Sequence, residues 1–196
     1  MITGKKVAIL VAEGFEQVEM TGPRQALQGA GAETAIVSPA KDEVQGWNHF
    51  DKGERFNVDV ALDDAKPEEF DALLLPGGVA NPDQLRGMPK AVLFVKGFVD
   101  AGKPIGVICH GPWTLIEAGA VKGLKMTSWP TLKTDLKNAG ANWVDEPVVV
   151  DRGIVSSRKP DDIPAFSKKL VEEIGEGKHK SGGARAPARP ENRARQ

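Results

Sequence analysis

Four short apolar runs constrain this chain more than any other feature. Lys5 to Val11 (KKVAILV), Thr34 to Val37 (TAIV), Asp71 to Leu75 (DALLL) and Pro104 to Ile108 (PIGVI) are rich in β-branched and aliphatic residues and do not alternate with polar ones. A strand apolar on both faces must be covered on both, which is the situation of a parallel sheet between helices. The intervals supply those helices. Glu19 to Ala30 carries apolar residues at helical spacing and stops at Gly29 and Gly31, and Pro89 to Ala101 reads as another helix. Strands alternating with helices predict right-handed crossovers and a doubly wound α/β sheet.

Two segments depart from that rhythm. Val44 to Val58 is polar and aromatic and predicts a hairpin or edge excursion around Gly46 to Gly53. Pro147 to Ser157 has two β-rich arms around Asp151-Arg152-Gly153, a hairpin signal. Pro160 to Ile174 closes the fold as a helix, with Asp161 and Asp162 in the first turn where the helix dipole favours acid.

With 196 residues the chain has the size of one domain, placed here at 1–175. From Glu176 onward six Lys/Arg stand against two Glu, so this low-complexity tail carries +4 and the remainder −5 of a net −1. The tail offers contact to nucleic acid or an acidic surface, but a solvated extension is the expected reading. No run approaches the roughly 20 apolar residues that span a bilayer, and the first residues lack a signal-peptide pattern, so a cytoplasmic location is expected. One cysteine cannot form an intrachain disulfide or a multi-thiolate metal site, and three scattered histidines give no ligand spacing. Neither a metal nor a cofactor is expected.

The chemistry concentrates in Gly102 to Gly119 (GKPIGVICHGPWTLIEAG), where an apolar strand runs into Cys109-His110-Gly111 and then into an amphipathic helical pattern. That is the outline of a nucleophile elbow, which presents its residue at the carboxyl edge of the sheet where open α/β sheets place ligands. The following helix favours thiolate, the reactive form. A lone cysteine ending an apolar strand is more often a packed small hydrophobe; the flanking His110, Gly106 and Gly111 shift the reading to function. His110 is the candidate base or thiolate partner. Pro76-Gly77-Gly78 follows the strand 71–75 at the same edge, and its backbone N–H groups are candidate oxyanion donors. Of Glu13, Glu16 and Glu19, clustered after the first strand, Glu19 is the one expected to point inward. His49 and His179 have no strong claim.

Together these stretches resemble the PfpI intracellular-protease family of the ThiJ/PfpI superfamily, which also holds the Parkinsonism-associated deglycase. The resemblance rests on AEGFEQVEMTGP at 12–23, PEEFDALLLPGG at 67–78, GKPIGVICHGPWTLIEAGAVKG at 102–123 and KNAGANWVDEPVVVDRGIVSSRKPDDIPAF at 137–166. It implies a three-layer, flavodoxin-like, mostly parallel sheet with helices on both faces, as in class I glutamine amidotransferases. It also implies a homodimer or larger homo-oligomer. By matching positions, Cys109 is the nucleophile, Glu19 the carboxyl that hydrogen-bonds it and His110 the adjacent imidazole. Gly77, Gly78 and Gly111 surround the oxyanion, with the N–H groups of Gly78 and His110 as its donors. The loop Val79 to Asp83 (VANPD) offers Asp83 as the acid that, in protease-like members, reaches the imidazole from a neighbouring subunit. Ser128-Trp129 stands where the deglycase branch places a more distant histidine.

The activities this resemblance implies are deglycase or glyoxalase chemistry on methylglyoxal or its protein adducts, and weak intracellular peptidase activity, in a stress-response setting. All begin with thiolate attack on a carbonyl. A redox-sensing protein built on an oxidisable Cys109 is the rival reading. Glutamine amidotransferase activity is excluded, because no His-x-Glu pair lies downstream: after His110 only His179 remains, followed by Lys180 and Ser181.

Overall fold

A computed structural model describes residues 1–178. Strand β1 (Lys6–Leu10) leads through the two-residue β2 (Phe15–Glu16) into helix α1 (Gln17–Gly29) and then β3 (Glu33–Ser38). The excursion expected after it is a true hairpin, β4 (Glu43–Asn48) and β5 (Asp51–Asn57), followed by a short β6 (Val60–Ala61). Strand β7 (Ala72–Leu75), helices α2 (Ala80–Arg86) and α3 (Pro89–Asp100), strand β8 (Ile105–Ile108) and the six-residue helix α4 (Pro112–Glu117) make up the middle of the chain. Then come β9 (Lys125–Met126), α5 (Lys133–Asn138), β10 (Asn142–Trp143), β11 (Val148–Asp151), β12 (Ile154–Ser157) and α6 (Ile163–Glu176). The basic extension expected from 176 lies, from residue 179 on, outside the described residues.

The main sheet has seven strands in the order β11-β12-β8-β7-β1-β3-β6. Every pairing is parallel except β11 with β12 at the edge. That hairpin turns through Arg152 (φ 49°) and Gly153 (φ 83°). Two consecutive left-handed residues are what a type I′ turn requires. A separate three-stranded sheet, β2-β4-β5, carries the first excursion on one side of the carboxyl edge.

Period two explains why the four strand runs had to be apolar throughout. Val7, Ile9 and Leu74 face one layer with Met20, Leu27, Phe166 and Leu170 of α1 and α6. Ala8, Leu10, Leu73 and Leu75 face the other layer with Phe94, Phe98 and Leu115 of α3 and α4. Both faces are therefore dry, as a three-layer α/β fold requires. Gly106 of β8 marks the closest approach of α6, since a Cβ there would stand 2.7 Å from a Leu170 methyl. Among the described residues no helix is long and apolar enough to cross a membrane.

The loop expected over residues 79–83 is helical instead: Val79 is the N-cap of α2 and Asp83 lies within that helix. Asn81, which has the composition of a loop residue, is fully buried. Its Oδ1 accepts the Ala12 N–H at 2.7 Å and its Nδ2 donates to the carbonyls of Pro76 (2.9 Å) and Gly77 (3.0 Å). These bonds replace the loop by a clamp that joins β1, β7 and α2.

Candidate active site

Cys109 follows the last residue of β8 and has φ 63°. A non-glycine residue in the left-handed region carries a strain of about 1–2 kcal/mol, and here its neighbours enforce it. The Cys109 N–H donates to the Ser157 carbonyl at 3.1 Å, and its carbonyl accepts the Trp129 N–H at 3.0 Å. The sharp turn throws the side chain away from the sheet while leaving the residue only 7% exposed.

Beneath the thiol lies Glu19, fully buried on the first turn of α1. Its Oε2 accepts the Gly77 N–H at 2.8 Å. Its Oε1 has no hydrogen-bond partner of its own, and the carboxyl lies against the Cys109 sulfur. Burial pushes the Glu19 carboxyl up to about 8, so at neutral pH it holds a proton that Oε1 can offer to sulfur. Burial likewise pushes the Cys109 thiol up, and a negative charge on Glu19 adds to this, while backbone N–H groups of Gly78 and His110 directed at the sulfur pull the other way. Two negative charges do not fit in this pair, and with Glu19 protonated the sulfur stays a thiol until a base takes its proton.

His110 Nδ1 stands 3.1 Å from Cys109 Sγ. Burial lowers the imidazole to about 4, so it is neutral and able to accept the thiol proton. Aromatic rings fix it: Trp129 stacks on it at 5.9 Å and 25°, and Trp113 meets it edge-on at 5.2 Å. The site opens on a cavity of about 940 Å³ whose walls include Glu16, Trp47, Phe50 and Trp129 besides the thiol and imidazole. Among the described residues no group of three or more His, Cys, Asp or Glu could hold a metal ion.

The structure thus brings Cys109, His110, Glu19 and Gly78 to one point. Three expected residues take other parts. The Gly77 N–H is occupied by Glu19 and is not free for an oxyanion. A Cβ on Gly77 would stand 2.6 Å from both Cys109 Cβ and Glu19 Oε2, so the glycine lets carboxyl and thiol meet. The Gly111 N–H donates to Ile108 O at 2.9 Å, closing the elbow, and a Cβ there would stand 2.7 Å from the Leu75 carbonyl. Asp83 pairs with Arg86 of its own helix at 2.6 Å, and Arg86 lies 4.6 Å over the Trp113 ring. Within the chain Asp83 makes no hydrogen bond to His110 among the described residues. Sequence reasoning missed Asn81 and gave Trp129 no role; an isolated Asn or Trp carries no periodic signal.

The profile of the DJ-1/PfpI family matches residues 5–173. The chain belongs to the DJ-1/PfpI family. A Staphylococcus epidermidis protein described as uncharacterized is 46% identical over 173 residues, covering 87% of this chain and 98% of that one. A Staphylococcus aureus counterpart, also described as uncharacterized, is 44% identical over the same shares. Among solved structures, a two-domain Anabaena variabilis protein with DJ-1/ThiJ/PfpI-like and ferritin-like domains superposes with a TM-score of 0.82 at 32% identity. That match covers 91% of this chain and 49% of the other, so this chain spans about half of that protein. Drosophila melanogaster DJ-1beta superposes with a TM-score of 0.78 at 24% identity, covering 88% and 94% of the two chains, and shows the same DJ-1/PfpI fold.

Proposed function

We propose that this DJ-1/PfpI protein is a cysteine-dependent enzyme acting on α-oxoaldehydes such as methylglyoxal, or on their protein adducts. The observation that carries this reading is the Cys109 sulfur lying 3.1 Å from a neutral imidazole, over a carboxyl that holds a proton at neutral pH. Sulfur attacks the aldehyde carbon while the thiol proton passes to His110 Nδ1 and then to the new alkoxide, giving a hemithioacetal. The amides of Gly78 and His110 point at the sulfur, so an alkoxide on the carbon bonded to that sulfur is within their reach as donors. Neutral His110 then removes the proton from C1, and the resulting enediol is reprotonated at C2, leaving a thioester of a 2-hydroxy acid. Water hydrolyses that thioester and restores the thiol. The sum is one oxoaldehyde and one water giving one 2-hydroxy acid, with no external oxidant or reductant.

Peptide hydrolysis fits this site less well. It must protonate a leaving amine, and the buried His110 has aromatic rings, with no carboxylate among the described residues, to stabilise an imidazolium. A redox role draws on the same donors, since Glu19 and the two amides would hold the oxygens of a sulfinic acid, but the raised thiol opposes easy oxidation.

The deciding experiment follows methylglyoxal loss and lactate formation with the wild type and Cys109→Ala, with a fluorogenic peptide in parallel. The expected result is stoichiometric lactate from the wild type, loss of more than about 100-fold in the variant and little peptide cleavage. Turnover that survives the substitution overturns the assignment of Cys109.

A further inference from the structure

The cavity is far larger than the chemistry above requires. Pockets of roughly 300–1,000 Å³ enclose a whole drug-sized molecule, and this one holds about 940 Å³. Methylglyoxal, with three carbons and two oxygens, leaves most of it empty. The unused wall exposes mainly apolar surface, much of it aromatic, with Glu13, His49, Lys52 and Arg55 also among its lining residues. Trp47 and Phe50, from the β4–β5 hairpin, face the cavity together with Val79 and Trp129. Phe50 is 93% exposed, a large ring at the mouth that nothing among the described residues covers.

This wall is held in place by the same segment that holds the thiol. His49, at the turn between β4 and β5, has φ 57°. Its N–H donates to Glu16 Oε2 at 3.0 Å, and its imidazole lies 3.7 Å from the same oxygen. One residue further, Gln17 Oε1 accepts the Glu54 N–H at 2.7 Å while its Nε2 donates to the Glu54 carboxylate at 2.8 Å. Two residues on, Glu19 supports Cys109. Glu16, Gln17 and Glu19 therefore fix wall and nucleophile from one stretch of backbone, which makes the slot between them pre-organised.

We propose that the β4–β5 turn selects the substrate, and that the selected class is α-oxoaldehydes bearing an apolar tail of several carbons over the three-carbon dicarbonyl. This rests on the reaction assigned above, but the slot itself is testable without turnover. The tail lies along Trp47 and Phe50 while the aldehyde carbon meets Cys109.

The test measures kcat/KM for a series of alkylglyoxals of increasing length, starting from methylglyoxal. Burial of each methylene predicts a rise of about three- to fourfold per carbon until the slot is filled. In Phe50→Ser, which removes an exposed ring and leaves the core intact, the rise falls below about twofold per carbon. A flat wild-type series, or an equally steep one in the variant, overturns the proposal. So does a Phe50→Ser protein that loses an oligomeric state by sedimentation while keeping the same dependence, since the turn would then be a contact between copies. In parallel, unreactive 2-alkanones are titrated into Cys109→Ala with tryptophan fluorescence as the readout. If no glyoxal is consumed yet alkanone affinity rises with length and depends on Phe50, the reaction is wrong and the slot stands. If glyoxals are consumed and alkanone affinity is flat, the slot is wrong and the reaction stands.

Discussion

Replacing Glu19 with glutamine tests the electrostatic core of the site through stability alone. The carboxyl ionises near 4.5 when unfolded and near 8 in the fold because it is buried. Between those values the native state keeps a proton that the unfolded chain has released, so the unfolded state binds fewer protons and stability falls as pH rises. The contribution is complete below about 4.5, declines through the window and is gone above about 8. At 1.36 kcal/mol per pH unit the full loss is about 5 kcal/mol, of which about 3–4 kcal/mol falls between pH 5 and pH 8. Against a total stability of about 5–15 kcal/mol, that is a large fraction. The glutamine amide keeps an oxygen for the Gly77 N–H and a donor for the sulfur, but it does not titrate. Urea unfolding of wild type and Glu19→Gln at pH 5, 6, 7 and 8, followed by tryptophan fluorescence, gives the difference directly. Other titrating groups are common to both proteins and cancel. The variant should gain on the wild type by about 3–4 kcal/mol across that range. A difference constant to within about 0.5 kcal/mol would show that Glu19 is ionised in the fold, and the account of the thiol would fail with it.

His110, lowered to about 4 by burial, is the neutral base everywhere above that pH, so the acid limb of kcat/KM should fall near 4 rather than near 6.5. Trp129→Ala uncovers the stacked face of the imidazole and should move that limb upward by about one unit in a pH–rate profile. Gly77→Ala places a methyl 2.6 Å from both Cys109 Cβ and Glu19 Oε2. It should cost about 1–3 kcal/mol in thermal or urea unfolding and abolish lactate formation, and retention of both properties would refute the close approach of thiol and carboxyl.

The sheet was legible because its strands are dry on both faces, which removes polar residues from β1, β7 and β8 and leaves an unambiguous pattern. The β11–β12 hairpin was legible from Arg152-Gly153, where turn geometry selects the residues. Helix α2 was not, because its opening Ala80-Asn81-Pro82-Asp83 has loop composition. A tertiary contact, the buried Asn81 clamp, outweighs propensity there. The two-residue strands β2, β6, β9 and β10 are too short to carry any periodicity. In the site, the elbow at Cys109 could be read from Cys-His-Gly after an apolar strand. That the Gly77 N–H belongs to Glu19, and that Asp83 turns to Arg86, depends on which partners folding brings within hydrogen-bond reach, and no local pattern encodes that.

Helix α6 determines how this protein can be handled. It begins just after Pro160, which touches the cavity, and runs back along the sheet for 14 residues, a distance of about 21 Å. Gly177 therefore emerges at the opposite end of the molecule from the thiol. A fluorophore, surface anchor or fused partner joined at that end leaves the mouth beside Phe50 facing solution, whereas one inserted at the β4–β5 turn would block it.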